Sequence, residues 1–205
     1  YMAVYRGRTT EEVRDTRAAF YDPSSGRWSD PVLVHNDGWT IGGCPVNGPA
    51  AASSERGHAG VLWYTEADTV PSVRFALLRN GSGEPSFTAP IALETPAARM
   101  AGRVDLAAHG DRYFALWTEY YRHPGIEAAT GLATVKLASI DVSSGTPRVE
   151  AALDLGLTGS ARANGYPRMA LSGDDLMIAW TQTDPQYRIR TLRLPAQRIS
   201  EAPPS

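Results

Sequence analysis

The sequence predicts an all-β fold made of repeated, four-stranded antiparallel sheets, on three observations. An apolar strand that ends in an acid or amide recurs as Val61–Leu62–Trp63–Tyr64–Thr65–Glu66, Ala115–Leu116–Trp117–Thr118–Glu119 and Ile178–Ala179–Trp180–Thr181–Gln182. Its tryptophans lie 54 and 63 residues apart, and a weaker copy, Ala3–Val4–Tyr5–Arg6, stands 58 residues before the first. Such a period belongs to repeat architectures. Before each tryptophan comes a short run entered through Gly or Pro, at 48–52, 102–107 and 165–171. After it comes an alternating run, at 72–79, 133–140 and 187–194. Alternation with period two marks a strand with one face buried. A fourth run follows at 89–93 and 148–153. Four short strands per repeat, joined by Gly, Ser, Asn and Asp turns, describe one blade of a β-propeller.

With the strands lettered A to D from the axis outward, the tryptophan strand is B. In chain order, residues 1–6 are strand B of a first blade, 15–21 its strand C and 29–35 its strand D. The expected limits are a partial blade over 1–35, complete blades over 47–93 and 102–155, and a partial fourth over 165–194. Residues 10–17 are the one stretch that passes for a helical turn, and 198–205 read as a frayed tail. The whole chain, 1–205, is then a single propeller portion of about four blades, within a six-bladed ring. Such a portion leaves sheet edges open. The expected partner is the rest of the propeller, from further residues or from another chain.

Composition narrows the function. The chain is 42% hydrophobic and 20% charged, with a net charge of −2. That balance gives no electrostatic case for nucleic acid or an anionic membrane. No run of about 18 apolar residues is present, so no membrane span is expected. No leader pattern opens the sequence at Tyr1. The single Cys44 excludes an internal disulfide and a paired-cysteine metal site. It is either buried or bonded to a cysteine elsewhere, and the second would suit an oxidising compartment. His35, His58, His109 and His123 are scattered and have no metal-ligand spacing. Neither a metal nor a cofactor is expected.

The connections distinguish two faces. A-to-B and C-to-D turns are short, as at 109–112, 172–175, 23–26 and 142–145. B-to-C and D-to-A connections are longer: 7–14, 36–47, 66–71, 94–101, 120–131, 158–164 and 183–186. Strand direction alternates within a blade, so the long loops share one face. Binding groups concentrate on loops held by a rigid scaffold, which makes that face the candidate site. Glu66 and Glu119 end their B strands there, and Asp37 and Asn47 lie in the loop before the second blade. Trp39 lies in the same loop, outside the repeat, either as a stacking platform for a sugar or as loop packing. Asp105 and Arg168 fall at equivalent places in successive A strands, as an inter-blade ion pair or as axial ligand groups. The repeated tryptophans are expected between blades, as core.

Asp22–Pro23–Ser24–Ser25–Gly26–Arg27–Trp28 resembles a degenerate Asp-box turn (Ser-x-Asp-x-Gly-x-x-Trp/Phe), with weaker copies at 82–87 and 141–145. With the blade period, the chain resembles the BNR/Asp-box, sialidase-like propellers of secreted bacterial proteins. The stretch 37–49 looks like the mark of one uncharacterised branch. The resemblance implies a secreted or periplasmic protein that recognises, and in the catalytic members hydrolyses, a carbohydrate. Sialidases hold the substrate carboxylate with three arginines, for which Arg6, Arg103 and Arg168 are the candidates, and add a Tyr/Glu nucleophile pair and an Asp acid/base. The Arg-Ile-Pro entry motif of that family is absent here, so the catalytic residues stay unassigned. The expected ligand set is Arg6, Asp37, Trp39, Asn47, Glu66, Arg103, Asp105, Glu119 and Arg168. The alternative is a non-catalytic propeller scaffold for a protein partner.

Overall fold

The computed structural model describes residues 1–43, 45–79, 81, 83–93, 100–120, 131–183 and 185–199. Cys44 and His123 lie outside the described residues. Strands β1 (Met2–Arg6), β2 (Thr16–Asp22), β3 (Arg27–Trp28) and β4 (Val32–Leu33) form the first sheet, with β3 and β4 both paired to β2. The second holds β5 (Ala50–Ser53), β6 (Ala59–Thr65), β7 (Ser72–Leu77) and β8 (Ile91–Ala92) in chain order. The third holds β9 (Met100–His109), β10 (Arg112–Tyr120), β11 (Leu132–Asp141) and β12 (Arg148–Gly159). The fourth has three strands, β13 (Arg168–Ser172), β14 (Asp175–Gln182) and β15 (Arg188–Pro195). All these pairings are antiparallel.

The sheets meet face to face. The first strands of the sheets are neighbours in sequence order, β1 with β5, β5 with β9 and β9 with β13. That arrangement of successive meander sheets is a β-propeller, and the four sheets are its blades. Three apolar clusters fill the junctions. Trp63 sits with Ala18 and Val34 of the first blade, against Met2, Val4 and Phe20. Trp117 sits with Leu62, Phe75 and Tyr64 of the second. Trp180 sits with Phe114, Leu116 and Leu137 of the third. Gly60 admits the second junction: a Cβ there would stand 2.6 Å from the Tyr113 ring of the next blade.

The tryptophans are 0%, 2% and 8% exposed, which settles them as core. Burying rings of this size contributes on the order of 4–6 kcal/mol each by area. Each stands opposite a cation on its C strand: Trp63 with Arg74, Trp117 with Lys136, Trp180 with Arg190. Each indole also needs an acceptor once buried. Trp63 Nε1 donates to Asp37 Oδ2 at 2.7 Å and Trp117 Nε1 to Glu119 Oε1 at 2.8 Å. Trp180 Nε1 donates to the Leu157 carbonyl at 3.3 Å. In the second and third blades the carboxylate also meets the opposite cation, as Arg74–Asp37 and Lys136–Glu119 pairs. In the fourth blade the acid becomes Gln182, and the indole turns to a backbone carbonyl instead.

Several local expectations are corrected. Residues 10–17 hold no helical turn, because Val13 bridges Thr40 and β2 begins at Thr16. Of the D strand expected over 29–35 the structure forms β4, at Val32–Leu33, while β3 precedes that range and Pro31 between them lacks a backbone donor. β12 runs on to Gly159. The expected tail begins inside a short helix, α1 (Ala196–Ile199), whose Ala196 and Ile199 are buried in the last junction; residues 200–205 lie outside the described residues. The Asp22 carboxylate closes its own turn: Oδ1 accepts the Ser24 amide at 2.9 Å and its hydroxyl at 2.7 Å, and Oδ2 accepts the Ser25 hydroxyl at 2.7 Å. On the short-turn face, Arg56–Asp111 and His109–Asp174 pairs join successive blades. Among the described residues no helix is long and apolar enough to cross a membrane.

Candidate functional site

The ends of β1, β6 and β10 and the entries of β9 and β13 come together on the long-loop face. Arg6, the last residue of β1, reaches across to the second blade. Its Nε and Nη2 donate to the Asn47 carbonyl at 3.2 and 2.8 Å, and Nη2 also reaches the Tyr64 carbonyl at 2.6 Å. Its Nη1 donates to the Arg14 carbonyl at 2.8 Å, and the guanidinium lies 4.6 Å from the centre of the Trp39 ring. Burial pushes Arg6 down to about 10, against the pull of Asp37 and Asp15, so it is charged at neutral pH.

Arg103 does the same work between the third and fourth blades. Its Nη1 donates to the Gly159 carbonyl at 3.2 Å, and its Nη2 to those of Ser160 and Ala161 at 2.6 and 2.7 Å. It does so from a left-handed backbone, φ 58°, a conformation that costs a side-chain-bearing residue about 1–3 kcal/mol and persists only where its surroundings hold it. Part of that hold is Asn47, whose Oδ1 accepts the Arg103 amide at 3.2 Å. Gly102 before it has φ 75°, and a Cβ there would stand 2.7 Å from the Asn47 side chain. Burial lowers the Arg103 pKa, while Tyr166 and Tyr120 nearby raise it.

The structure gives most of the expected ligand set partners within the fold. Arg6 and Arg103 spend their donors on backbone carbonyls, so they act as clamps between loops. The Asp37 side chain is buried and accepts from Trp63, Arg74 and His35. Glu119 is buried against Trp117 and Lys136. Trp39 is buried in the second junction, edge-on to Tyr64 with Arg6 over its ring, so its faces are closed to a sugar. Asn47 is a loop anchor. Asp105 accepts the Met169 amide at 2.8 Å through Oδ2 and faces Arg168 at 3.7 Å through Oδ1, the inter-blade pair. Of the expected residues, Glu66 and Arg168 remain at the surface of this face.

Two features escaped the sequence reading. The Tyr64 hydroxyl donates to Glu66 Oε1; residues two apart on a strand share a face, so the Tyr-x-Glu spacing was the available signal. Burial first, then this hydrogen bond, raises the Tyr64 pKa. The second feature is Tyr166. Its hydroxyl donates to the Val46 carbonyl at 2.6 Å, joining the loops that enter the second and fourth blades. Its ring lies 5.9 Å from each of the Arg103 and Arg168 guanidinium groups. Tyr166 and Tyr120 are 37% and 45% exposed, and the Arg168 side chain is 69% exposed. Of the loops expected over 94–101 and 120–131, residues 94–99 and 121–130 lie outside the described residues, while Met100 opens β9 and Tyr120 ends β10. Among the described residues no three His, Cys, Asp or Glu side chains group closely enough for a metal ion.

Fold and face together define the class: a propeller portion whose long loops are tied across blades by arginine clamps and present tyrosines and one exposed arginine. No protein-family model and no curated protein matches the chain. Among solved structures, it is similar to a GH43 endo-arabinanase from Bacillus licheniformis, with TM-score 0.43 and 13% identity over 95% of this chain and 69% of that one. An exo-1,5-α-L-arabinanase from a bovine ruminal metagenomic library gives TM-score 0.41 and 13% identity, over 94% of this chain and 69% of that one. The propeller assignment stands on the strand order and blade packing above.

Proposed function

We propose that this protein recognises a carbohydrate-type ligand on its long-loop face. The observation that carries the proposal is Tyr166, a half-exposed ring between two guanidinium groups, one of them, Arg168, open to solvent. A phenol ring offers an apolar body with a polar edge, which suits the C–H face and hydroxyls of a sugar. Arg168 adds donors in a fixed fork for hydroxyl or carboxylate oxygens. Tyr120 extends the aromatic surface.

Recognition is favoured over sialidase-like hydrolysis. Two of the three candidate arginines are engaged by carbonyls, and a Tyr64 whose pKa burial raises is the reverse of an activated nucleophile. The same reading places the protein outside the cytoplasm, secreted or periplasmic, where polymeric glycans are met. A protein-binding scaffold is the second reading, favoured by the exposed Tyr187, Ile189 and Met177 of the fourth blade.

Glycan-array screening followed by calorimetry tests the proposal. Tyr166→Ala should weaken the selected glycan by about tenfold or more, worth about 1.4 kcal/mol. Tyr166→Phe, which keeps the ring and loses the Val46 bond, should bind nearly as the parent does. A chain that selects no glycan, or a Tyr166→Ala variant that binds undiminished, would overturn it.

A further inference from the structure

We propose that the first blade carries a second, separate site for a small zwitterion of the α-amino acid type. A cavity of about 270 Å³ lies beside the loop between β1 and β2, lined by Thr9, Glu11, Val13, Asp15, Arg17, Leu33 and Asn36. That volume holds roughly nine waters at liquid density, room for a small molecule and not for a polymer. None of the residues of the Tyr166 surface lines it.

The three charged side chains that line this pocket form no ion pair with one another or with other described residues. Among the described residues, the Arg17 side chain makes no hydrogen bond and no ion pair; its stem lies over Gly7, where a Cβ would meet Arg17 Nε at 2.9 Å. Among the described residues, Glu11 and Asp15 have no cation within ion-pair distance, and Arg6 acts on Asp15 only through its field. Glu11 is kept ionised chiefly by the Thr10 hydroxyl. Asp15 is buried, and its Oδ1 accepts the Trp39 amide at 3.3 Å. A guanidinium and two carboxylates in one small pocket, none of them ion-paired among the described residues, are complementary to a molecule bearing both signs. Arg17 takes the carboxylate in its fork, Glu11 and Asp15 take the ammonium, and Thr9 and Asn36 supply neutral polar contacts. Val13 and Leu33 form an apolar wall for an aliphatic side chain.

The rim is built in advance. Glu12 holds φ 63° in the loop, paired with Arg8 and Arg14. The loop is tied to its neighbour by Arg14 N to Trp39 O at 2.7 Å and by Ile41 N to Glu12 O at 3.3 Å. A preformed cavity with convergent polar groups is the usual form of a small-ligand site.

Titration calorimetry and amide chemical shifts with L-leucine, L-leucinamide and N-acetyl-L-leucine decide the matter. Leucine should bind and shift the amides of residues 9–17. Leucinamide lacks the carboxylate and acetyl-leucine lacks the ammonium, so each should bind at least about tenfold more weakly, the loss of one charge-assisted hydrogen bond. R17Q should bring leucine down to the level of leucinamide and leave leucinamide unchanged. E11Q, at an exposed position that folding does not need, should weaken leucine and leave acetyl-leucine unchanged. Three probes binding alike, no response to leucine at millimolar concentration, or leucine binding untouched by E11Q would each overturn the proposal.

Discussion

Trp117→Ala is the sharpest test of the blade assignment. The ring is buried at the junction of the second and third blades, among Leu62, Phe75, Leu106, Tyr113 and Ile140. Truncating a buried aromatic to alanine costs about 3–5 kcal/mol. The substitution also removes the 2.8 Å donor of Glu119. The nearest cation, Lys136, stands 4.0 Å away and is already engaged by Asp154. Losing a hydrogen bond to a buried charged group costs about 1–3 kcal/mol more. The sum, about 4–8 kcal/mol, rivals the whole stability of an ordinary domain, about 5–15 kcal/mol. Trp117→Ala should therefore be partly or wholly unfolded at room temperature. Trp117→Phe keeps most of the packing and loses the donor, at about 2–4 kcal/mol. Urea denaturation followed by far-ultraviolet circular dichroism measures both. A double-mutant cycle with Glu119→Ala, which removes the acceptor, should return a coupling of about 1–2 kcal/mol. A Trp117→Ala protein with unchanged midpoint and slope would refute the reasoning, and a cycle without coupling would refute the role given to Glu119.

Two further outcomes follow from the same geometry. Asp37→Ala removes a buried carboxylate that serves Trp63, Arg74 and His35; it should cost about 3–5 kcal/mol, the range for breaking a buried charged pair, and a urea midpoint close to that of the parent would count against the network. The Asp22 carboxyl, held down to about 2 by the Ser24 and Ser25 hydroxyls, binds fewer protons folded than unfolded between about pH 2 and 4. Its contribution is therefore present above pH 4 and lost as pH falls toward 2. Asp22→Asn should flatten the stability–pH curve in that window, and a curve that keeps its slope there would show the turn bonds to be absent.

The fold was legible because its signal is carried by residues that packing leaves little freedom. A tryptophan in the middle of an apolar strand, repeated at a near-constant interval, has to be buried, and burial at equivalent points of successive sheets is what a propeller requires. The alternating runs at 72–79 and 133–140 marked the strands β7 and β11, but from Lys136 to Ile140 both faces of β11 are buried, so period two gave the strand and not the number of its covered faces. Where the signal depended on a single short segment it failed. Ser29, Asp30 and Pro31 interrupt what the β-pattern presented as one D strand, and α1 packs through only Ala196 and Ile199, too few residues for a helical period to show.

The site was less legible because a charged residue does not announce its partner. Arg6 and Arg103 occupy the face where ligand-binding arginines would be expected, and their sequence neighbours fit that role. Yet long D-to-A loops bring carbonyls that need donors to that same face, and an arginine is the side chain able to satisfy several at once. Arg6 serves three carbonyls and Arg103 another three. The acids are diverted likewise: a buried indole N–H must find an acceptor, so a carboxylate two residues beyond Trp117, or in the loop beside Trp63, is claimed by the core. What is left for a ligand is the residue the scaffold does not need. Arg168 is such a residue, with one 3.7 Å pair and most of its side chain in solvent, and Arg17, with no partner among the described residues, is another. Subtracting the structural demands of the blades, carbonyl by carbonyl and indole by indole, separates these two arginines from the two clamps that stand in the same sequence context.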